Sequence, residues 1–372
     1  MNIITMPMAD HNNIDNHLAP LTSKRKQKAK CSYSCRRADL DHASQILTGN
    51  LRPQSGDLVL ARITRLGQHK RLELNTGRRA HLHLGDEIIV SYGARYAPDQ
   101  FEAYVPEHFD ECDLVAAGGI AAESASRNGS MKPATLITPI GLLADHQGKR
   151  INLSRFSLAA PVGSFSRPKV YGVLGTSMNS GKTTCSGMLI HGFGEQGLSV
   201  GAAKVTGTGA GCDAWVYTDA GADKVLDFTD MGVPSTFGLC LAQLESIMLG
   251  LIHNLSQAGV EVIVMEVADG LLQQETSALV NSACFRRICD GVIFAAPDAM
   301  GAIGGVNQLR SQGINVLAVG GLLTTAPLAI KEAQAMLDIP VVTAQQMETA
   351  AWLPDPQEVA SMDNVRDIDL AY

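Results

Sequence analysis

With 372 residues, 45% of them hydrophobic, and 36 glycines, the chain is long enough for about two domains and apolar enough to give each a core. No apolar run approaches the roughly 18 residues of a membrane helix, and the polar opening from Met1 to Pro20 is unlike a secretory signal, so a membrane protein is excluded and a cytoplasmic one expected. Seven basic and two acidic residues precede Ala38, net +5, which leaves −12 for the rest of a chain of formal charge −7; an acidic body excludes a protein that acts mainly on nucleic acid.

Residues 1–37 read as a disordered basic tail. Large apolar side chains are few, and Lys24, Arg25, Lys26, Lys28 and Lys30 follow one another closely. Such a run attracts polyanions by charge, so nucleic acid is expected as a partner only here. Cys31, Cys35 and His42 lack a second ligand pair at finger-like distance and give no zinc site. The eight cysteines, several inside apolar runs, suit reduced thiols better than a disulfide framework.

Residues 38–160 read as a smaller, mainly antiparallel β domain, barrel-like or a sandwich. Strand-length runs at 58–66, 71–74, 79–84, 87–92 and 100–105 are separated by turn residues at Gly56, Gly67, Gly77, Gly85 and Pro98. A hairpin is expected across 145–148. Arg127, Lys132 and His81 lie within reach of a ligand in such a domain, but isolated basic residues on strands are ordinarily solvated. Residues 159–167, with Pro161 and Gly163, read as a linker.

From 168 to 355 apolar strands alternate with amphipathic helices. The strands are expected at 170–174, 199–205, 260–267, 291–296, 315–319 and 340–342. The helices are expected at 181–196, 238–258, 274–289, 301–312, 326–337 and 343–352. That alternation predicts an α/β fold with a mostly parallel, doubly wound sheet, ending in a tail at 356–372. Ligands of such a sheet sit beyond the carboxyl ends of its strands.

At the end of the first of these strands stands Gly175-Thr-Ser-Met-Asn-Ser-Gly-Lys-Thr-Thr184. A strand, a glycine-containing loop and a helix start are what phosphate binding requires, because loop N–H groups and the helix N-terminus converge on phosphate oxygens. Gly175, Thr176, Asn179, Ser180, Gly181, Lys182, Thr183 and Thr184 are therefore the expected nucleotide residues. Lys182 supplies the point charge for the outer phosphates, and the Thr183 hydroxyl is placed for Mg²⁺. Thr176 stands where the usual pattern has glycine.

The second strand ends at Lys204, followed by Val-Thr206-Gly-Thr208-Gly-Ala-Gly-Cys-Asp213. Three glycines permit close approach to an anion, Lys204 adds charge, and Asp213 is the nearest carboxylate for Mg²⁺ or for a substrate proton. Lys204, Thr206 and Thr208 are candidate substrate residues. Glu266 closes another apolar strand with Gly270 four positions on, a place suited to metal handling. Asp230 and Thr236, in a loop before a long helix, are candidates either for substrate or for capping that helix.

Residues 170 to about 320 resemble the dethiobiotin synthetase and cobyrinic acid synthetase branch of the P-loop NTPases (the SIMIBI superfamily), relatives of the MinD-type ATPases and of the accessory protein MobB. The motifs that carry the likeness are Gly175-Thr176, four residues, Gly181-Lys182-Thr183, and the Glu266 to Gly270 spacing. The resemblance implies that Lys182 and Thr183 bind phosphate and metal, that Lys204 steadies an anionic reacting group, and that Asp213 and Glu266 are magnesium carboxylates. It also implies that a homodimer is possible. Ser177 and Met178 replace an aspartate and a threonine of that family. The base-reading asparagine is missing at 319–322, so ATP is expected with GTP left open, and residues 38–160 have no counterpart.

Two functions follow. The first is an ATP- and Mg²⁺-dependent enzyme, a ligase or ATPase, that activates a small-molecule carboxylate or carbamate by phosphoryl transfer, with Lys182, Lys204 and Asp213 catalytic. The alternative is a nucleotide-hydrolysing switch or maturation factor that docks a partner through the β domain.

Overall fold

The computed structural model describes residues 16–349, 352–353 and 366–368. Residues 1–15 of the expected tail and most of 356–372 lie outside the described residues.

The turn-separated strands close on themselves. Thr135–Ala144 pairs with Leu58–Arg65, which pairs with Glu87–Tyr92, which pairs with Ile120–Arg127, which pairs with Cys112–Ala116, which returns to Thr135–Ala144. Four of these five pairings are antiparallel, and only that between Glu87–Tyr92 and Ile120–Arg127 is parallel. The result is a small barrel whose alternate residues Val59, Ala61, Ile63, Ile88 and Val90 belong to one core. The expected hairpin is present, with the Gly148 N–H donating to the Asp145 carbonyl at 3.0 Å.

Leu58, Leu60 and Ile89, on the opposite face, are also fully buried, and what covers them corrects the tail expectation. Leu21, Ala29 and Cys35 pack onto that face from a segment comprising a strand His17–Pro20, a helix Ser23–Lys28 and a short turn Tyr33–Cys35. Its charges are matched as well. Arg25 pairs with Glu87 at 2.8 Å, Lys30 pairs with Asp86, and Lys26 donates to the Leu40 carbonyl at 2.7 Å. Few apolar residues suffice because Leu21, Ala29 and Cys35 are all buried, and two of the five cations offered to polyanions in the sequence reading, Arg25 and Lys30, are already paired with carboxylates.

The second half is a six-stranded, wholly parallel sheet. We number its strands β1 Lys169–Gly175, β2 Val200–Lys204, β3 Lys224–Asp227, β4 Val262–Glu266, β5 Gly291–Ala295 and β6 Val316–Gly320, in spatial order β3-β2-β4-β1-β5-β6. Alternate residues of β1 face two different cores: Val170 and Leu174 join one, Tyr171 and Val173 the other, so both faces are covered. The helices are α1 Lys182–Glu195, α2 Cys212–Asp219, α3 Leu241–Gln257, α4 Gln274–Val280, α5 Ala283–Ile288, α6 Ala299–Ser311 and α7 Pro327–Gln334, followed by a single turn at Ala344–Met347.

Several boundaries are corrected. The stretch before α3 contains α2 and β3, not only loop; α2 buries only Tyr217, so it carries no apolar stripe. The expected helix 274–289 is two helices, because Ser282 restarts the chain as an N-cap accepting from the Phe285 N–H at 3.0 Å. Residues 340–342 contribute one bridge, Val341 beside Val319, and of the expected helix 343–352 the described residues form Ala344–Met347, with 350–351 outside them. The linker contains a strand, Phe165–Arg167, which pairs antiparallel with Arg366–Ile368 of the expected C-terminal tail.

Eight cysteines are free thiols. Among the described residues no helix is long and apolar enough to cross a membrane.

Candidate functional site

β1 ends at Gly175, and the chain turns through a loop, exposed only at Ser177 and Asn179, into α1. Asn179 takes φ 63° and Gly181 φ 101°, the left-handed conformations that reverse the chain before the helix. A Cβ on Gly181 would also lie 2.8 Å from the Gly321 Cα, so no larger residue fits beside β6. The hydroxyls of Thr176 and Ser180 are buried with no partner among the described residues. Unpartnered buried hydroxyls are costly, and an oxyanion seated in this loop would complete both. Together with the helix N-terminus they fit a chain of phosphates.

Lys182 opens α1 and is 6% exposed. Its ammonium donates to the Ser177 carbonyl of its own loop at 2.8 Å. Burial holds its pKa below the ordinary lysine value, while Glu266 and Asp269 pull the other way. A buried ammonium held by a carbonyl of its own loop has the chemistry to donate to phosphate oxygens instead.

Next to it the expected residues form one continuous chain. The Thr183 hydroxyl donates to Asp213 at 2.9 Å, the other oxygen of Asp213 pairs with Lys204, and Lys204 stands 3.6 Å from Glu266. Glu266 is 2% exposed and accepts from the Tyr217 hydroxyl of α2. β4 lies directly between β1 and β2, with Glu266 opposite both Val173 and Lys204, which is why carboxylate, ammonium and phosphate loop meet. Among the described residues no group of three or more His, Cys, Asp and Glu could hold a metal alone. Mg²⁺ needs less than that: the Thr183 hydroxyl and one carboxylate suffice where phosphates and waters supply the rest.

Asp269 was not singled out in the sequence. It sits three residues past Glu266, and burial raises its pKa against the opposing pull of Lys182 and Lys204. A Cβ on Gly270 would come within 2.2 Å of the Thr176 carbonyl, so this turn is pressed against the phosphate loop and glycine is required there.

The barrel is docked over this end of the sheet. The Tyr33 hydroxyl donates to Asp227 at 2.7 Å, and Glu73 accepts from the Gly211 N–H at 3.0 Å and the Trp215 indole at 3.2 Å. Tyr96 and Tyr104 each pack at 5.5 Å on Phe237. Between the two domains lies a cavity of about 600 Å³, lined by Arg71, Arg79 and Arg95 of the barrel and by Lys204, Thr208 and Asp269 of the sheet domain. Thr184 instead lines a separate apolar recess of about 90 Å³ with Leu322, Thr324 and Thr325.

The remaining candidates are distributed as follows. The Thr206 hydroxyl donates to the Ala268 carbonyl, and Thr236 accepts from the Gly207 N–H at 2.9 Å, so both brace the loop after β2. Asp230 lies away from the cavity, capping the turn after β3 and accepting from Arg36 at 2.5 Å and Arg37 at 3.4 Å. Arg127, Lys132 and His81 do not line the cavity either.

Strand, phosphate loop and helix on a doubly wound parallel sheet define the fold of a P-loop NTPase. The chain is similar in structure to the signal recognition particle receptor FtsY from Elizabethkingia anophelis in complex with GDP, at 19% identity over 53% of this chain with a TM-score of 0.38. It spans 63% of that FtsY chain. It is also similar to the 54 kDa signal recognition particle protein from Aeropyrum pernix K1 in complex with GDP, at 18% identity over 49% of this chain and 43% of that one (TM-score 0.37). A third likeness is to FtsY from Thermotoga maritima, at 20% identity over 55% of this chain and 70% of that one (TM-score 0.35). No family model matches the chain. No curated protein matches it. None of the three structures is a dethiobiotin synthetase or a MobB protein, so that resemblance remains one of motif.

Proposed function

We propose that the protein is a Mg²⁺-dependent P-loop NTPase in which hydrolysis of the bound nucleotide is coupled to the docked barrel. The observation that carries this reading is the loop itself: two buried, unpartnered hydroxyls, a left-handed glycine and a buried lysine at the start of α1. In this reading phosphates take the place of the Ser177 carbonyl on Lys182. Thr183 with Asp213 or Glu266 would hold Mg²⁺, which would supply neutralisation of charge on the outer phosphates. The protein's own part is positioning and charge compensation, as for phosphoryl transfer generally.

The coupling to the barrel is favoured by Asn179 of the loop, whose amide donates to Asp99 of the barrel at 3.1 Å. A rearrangement of the loop on hydrolysis reaches the barrel through that contact. GTP, whose product GDP is bound in two of the structures named above, and ATP are both candidates, and the apolar recess beside Thr184 is the proposed seat of the base.

A second reading, the activation of a small-molecule carboxylate by phosphoryl transfer, is favoured by the basic cavity beside Lys204. The test is phosphate release by purified protein from GTP and from ATP, with Mg²⁺ or EDTA. Release with Mg²⁺ alone supports a hydrolytic switch, and release only with an added metabolite pool supports the second reading. Release from neither nucleotide under any condition, together with no nucleotide binding, would refute both.

A further inference from the structure

Arg95 is 7% exposed, yet its guanidinium is incompletely satisfied. One terminal nitrogen donates to Gln100 at 2.9 Å, but Nε is buried and has no partner among the described residues. The other terminal nitrogen faces His69 Nε2 at 3.2 Å. That contact is no hydrogen bond. His69 Nε2 also lies 2.9 Å from the Val115 carbonyl oxygen, which can only accept, so the ring nitrogen carries the proton and cannot accept from Arg95. Among the described residues Arg95 forms no ion pair with a carboxylate; Asp99 and Asp269 act on it only through the longer-range field.

A buried cation without a counter-ion is a costly arrangement, and a protein keeps one where a ligand supplies the anion. Arg95 lines the cavity between barrel and sheet, with Arg71 and Arg79 on the same side and Lys204 across from it. Five cationic side chains, counting Lys70, line it against Asp99 and Asp269; with Lys204 already paired to Asp213, four cations still face two carboxylates, so its charge is positive. Its volume of about 600 Å³ falls in the range of small-molecule sites.

We propose that this cavity binds a small organic anion, a carboxylate or a phosphate, whose negative group docks on the Arg95 fork while its far end lies beside Lys204 and Asp269. The planar guanidinium matches either oxyanion in a bidentate manner, which a lysine would not. The burial that leaves Arg95 unpaired also pushes its pKa down to about 10, still well above neutrality, so the cation persists to meet the ligand. This site belongs to the barrel as much as to the sheet and does not depend on nucleotide hydrolysis.

The test is calorimetric titration of the full chain with inorganic phosphate and, separately, with citrate at fixed ionic strength. The proteins are the wild type, Lys182→Ala, Arg95→Gln and the exposed pair Arg71→Gln with Arg79→Gln. At least one anion binds saturably to the wild type and, within about twofold, to Lys182→Ala. Arg95→Gln weakens it at least tenfold and the exposed pair severalfold. Preference for citrate identifies a carboxylate ligand, preference for phosphate a phosphorylated one. No saturable binding of either anion overturns the proposal, as does binding lost in Lys182→Ala and kept in Arg95→Gln, which would seat the anion in the phosphate loop. Should Arg95→Gln fail to fold by circular dichroism, an unchanged affinity in the exposed pair overturns it.

Discussion

Asn179, at the left-handed bend of the phosphate loop, donates its side-chain amide to Asp99 of the barrel at 3.1 Å. This contact ties the expected nucleotide seat to a strand turn 80 positions earlier in the chain.

A hydrogen bond to a partly exposed carboxylate is worth about 1 kcal/mol. Asp99→Ala is expected to speed release of a fluorescent GTP or ATP analogue about threefold to tenfold, read by stopped flow, with little change in melting temperature. An unchanged release rate would remove the barrel from control of the loop.

Glu266 is buried between Lys204 and the Tyr217 hydroxyl, in line with Asp213 and Thr183. Glu266→Gln keeps the shape and removes the charge. The Mg²⁺ concentration giving half-maximal phosphate release is expected to rise about tenfold, roughly 1.4 kcal/mol of metal affinity. A coincident Mg²⁺ titration would exclude this carboxylate from metal binding.

His69 gives the account a pH signature. Burial, aided by Arg95, lowers its pKa to about 4, while the Val115 carbonyl opposes the shift. Between that value and the ordinary 6.5 or so, the unfolded chain binds a proton that the folded chain refuses, so stability falls as pH falls through this window. The loss approaches 3 kcal/mol at about pH 4, from 1.36 kcal/mol per unit. His69→Gln should lack this part of the acid loss. Urea midpoints at pH 7 and pH 4.5 check it, and parallel profiles for the two proteins would contradict it.

What was readable from sequence divides by distance along the chain. The phosphate loop is contiguous, so strand, bend, lysine and helix start announce themselves in sixteen residues. Glu266 was legible because an acidic residue closing an apolar strand is locally odd; Asp269 lies past the strand end, in a turn where a carboxylate is ordinary, and carries no such signal. Arg95 and Asp99 carry no local signal. Each is an ordinary polar residue in a β domain until docking of the barrel brings it to the loop or the cavity. The packed segment from residue 17 was missed because Leu21, Ala29 and Cys35 are few and unperiodic, and only the far face of the barrel gives them a purpose. α2 was missed because a helix of eight residues that buries Tyr217 alone has no pattern to read.

The most direct test of the account is equilibrium binding of GTP and ATP analogues, with Mg²⁺, to the wild type and to Lys182→Ala. The wild type is expected to bind at least one of them, and the variant to bind it at least a hundredfold more weakly, about 2.8 kcal/mol, with its fold intact by circular dichroism. Equal affinity in the two proteins would contradict the assignment of this loop as the nucleotide seat.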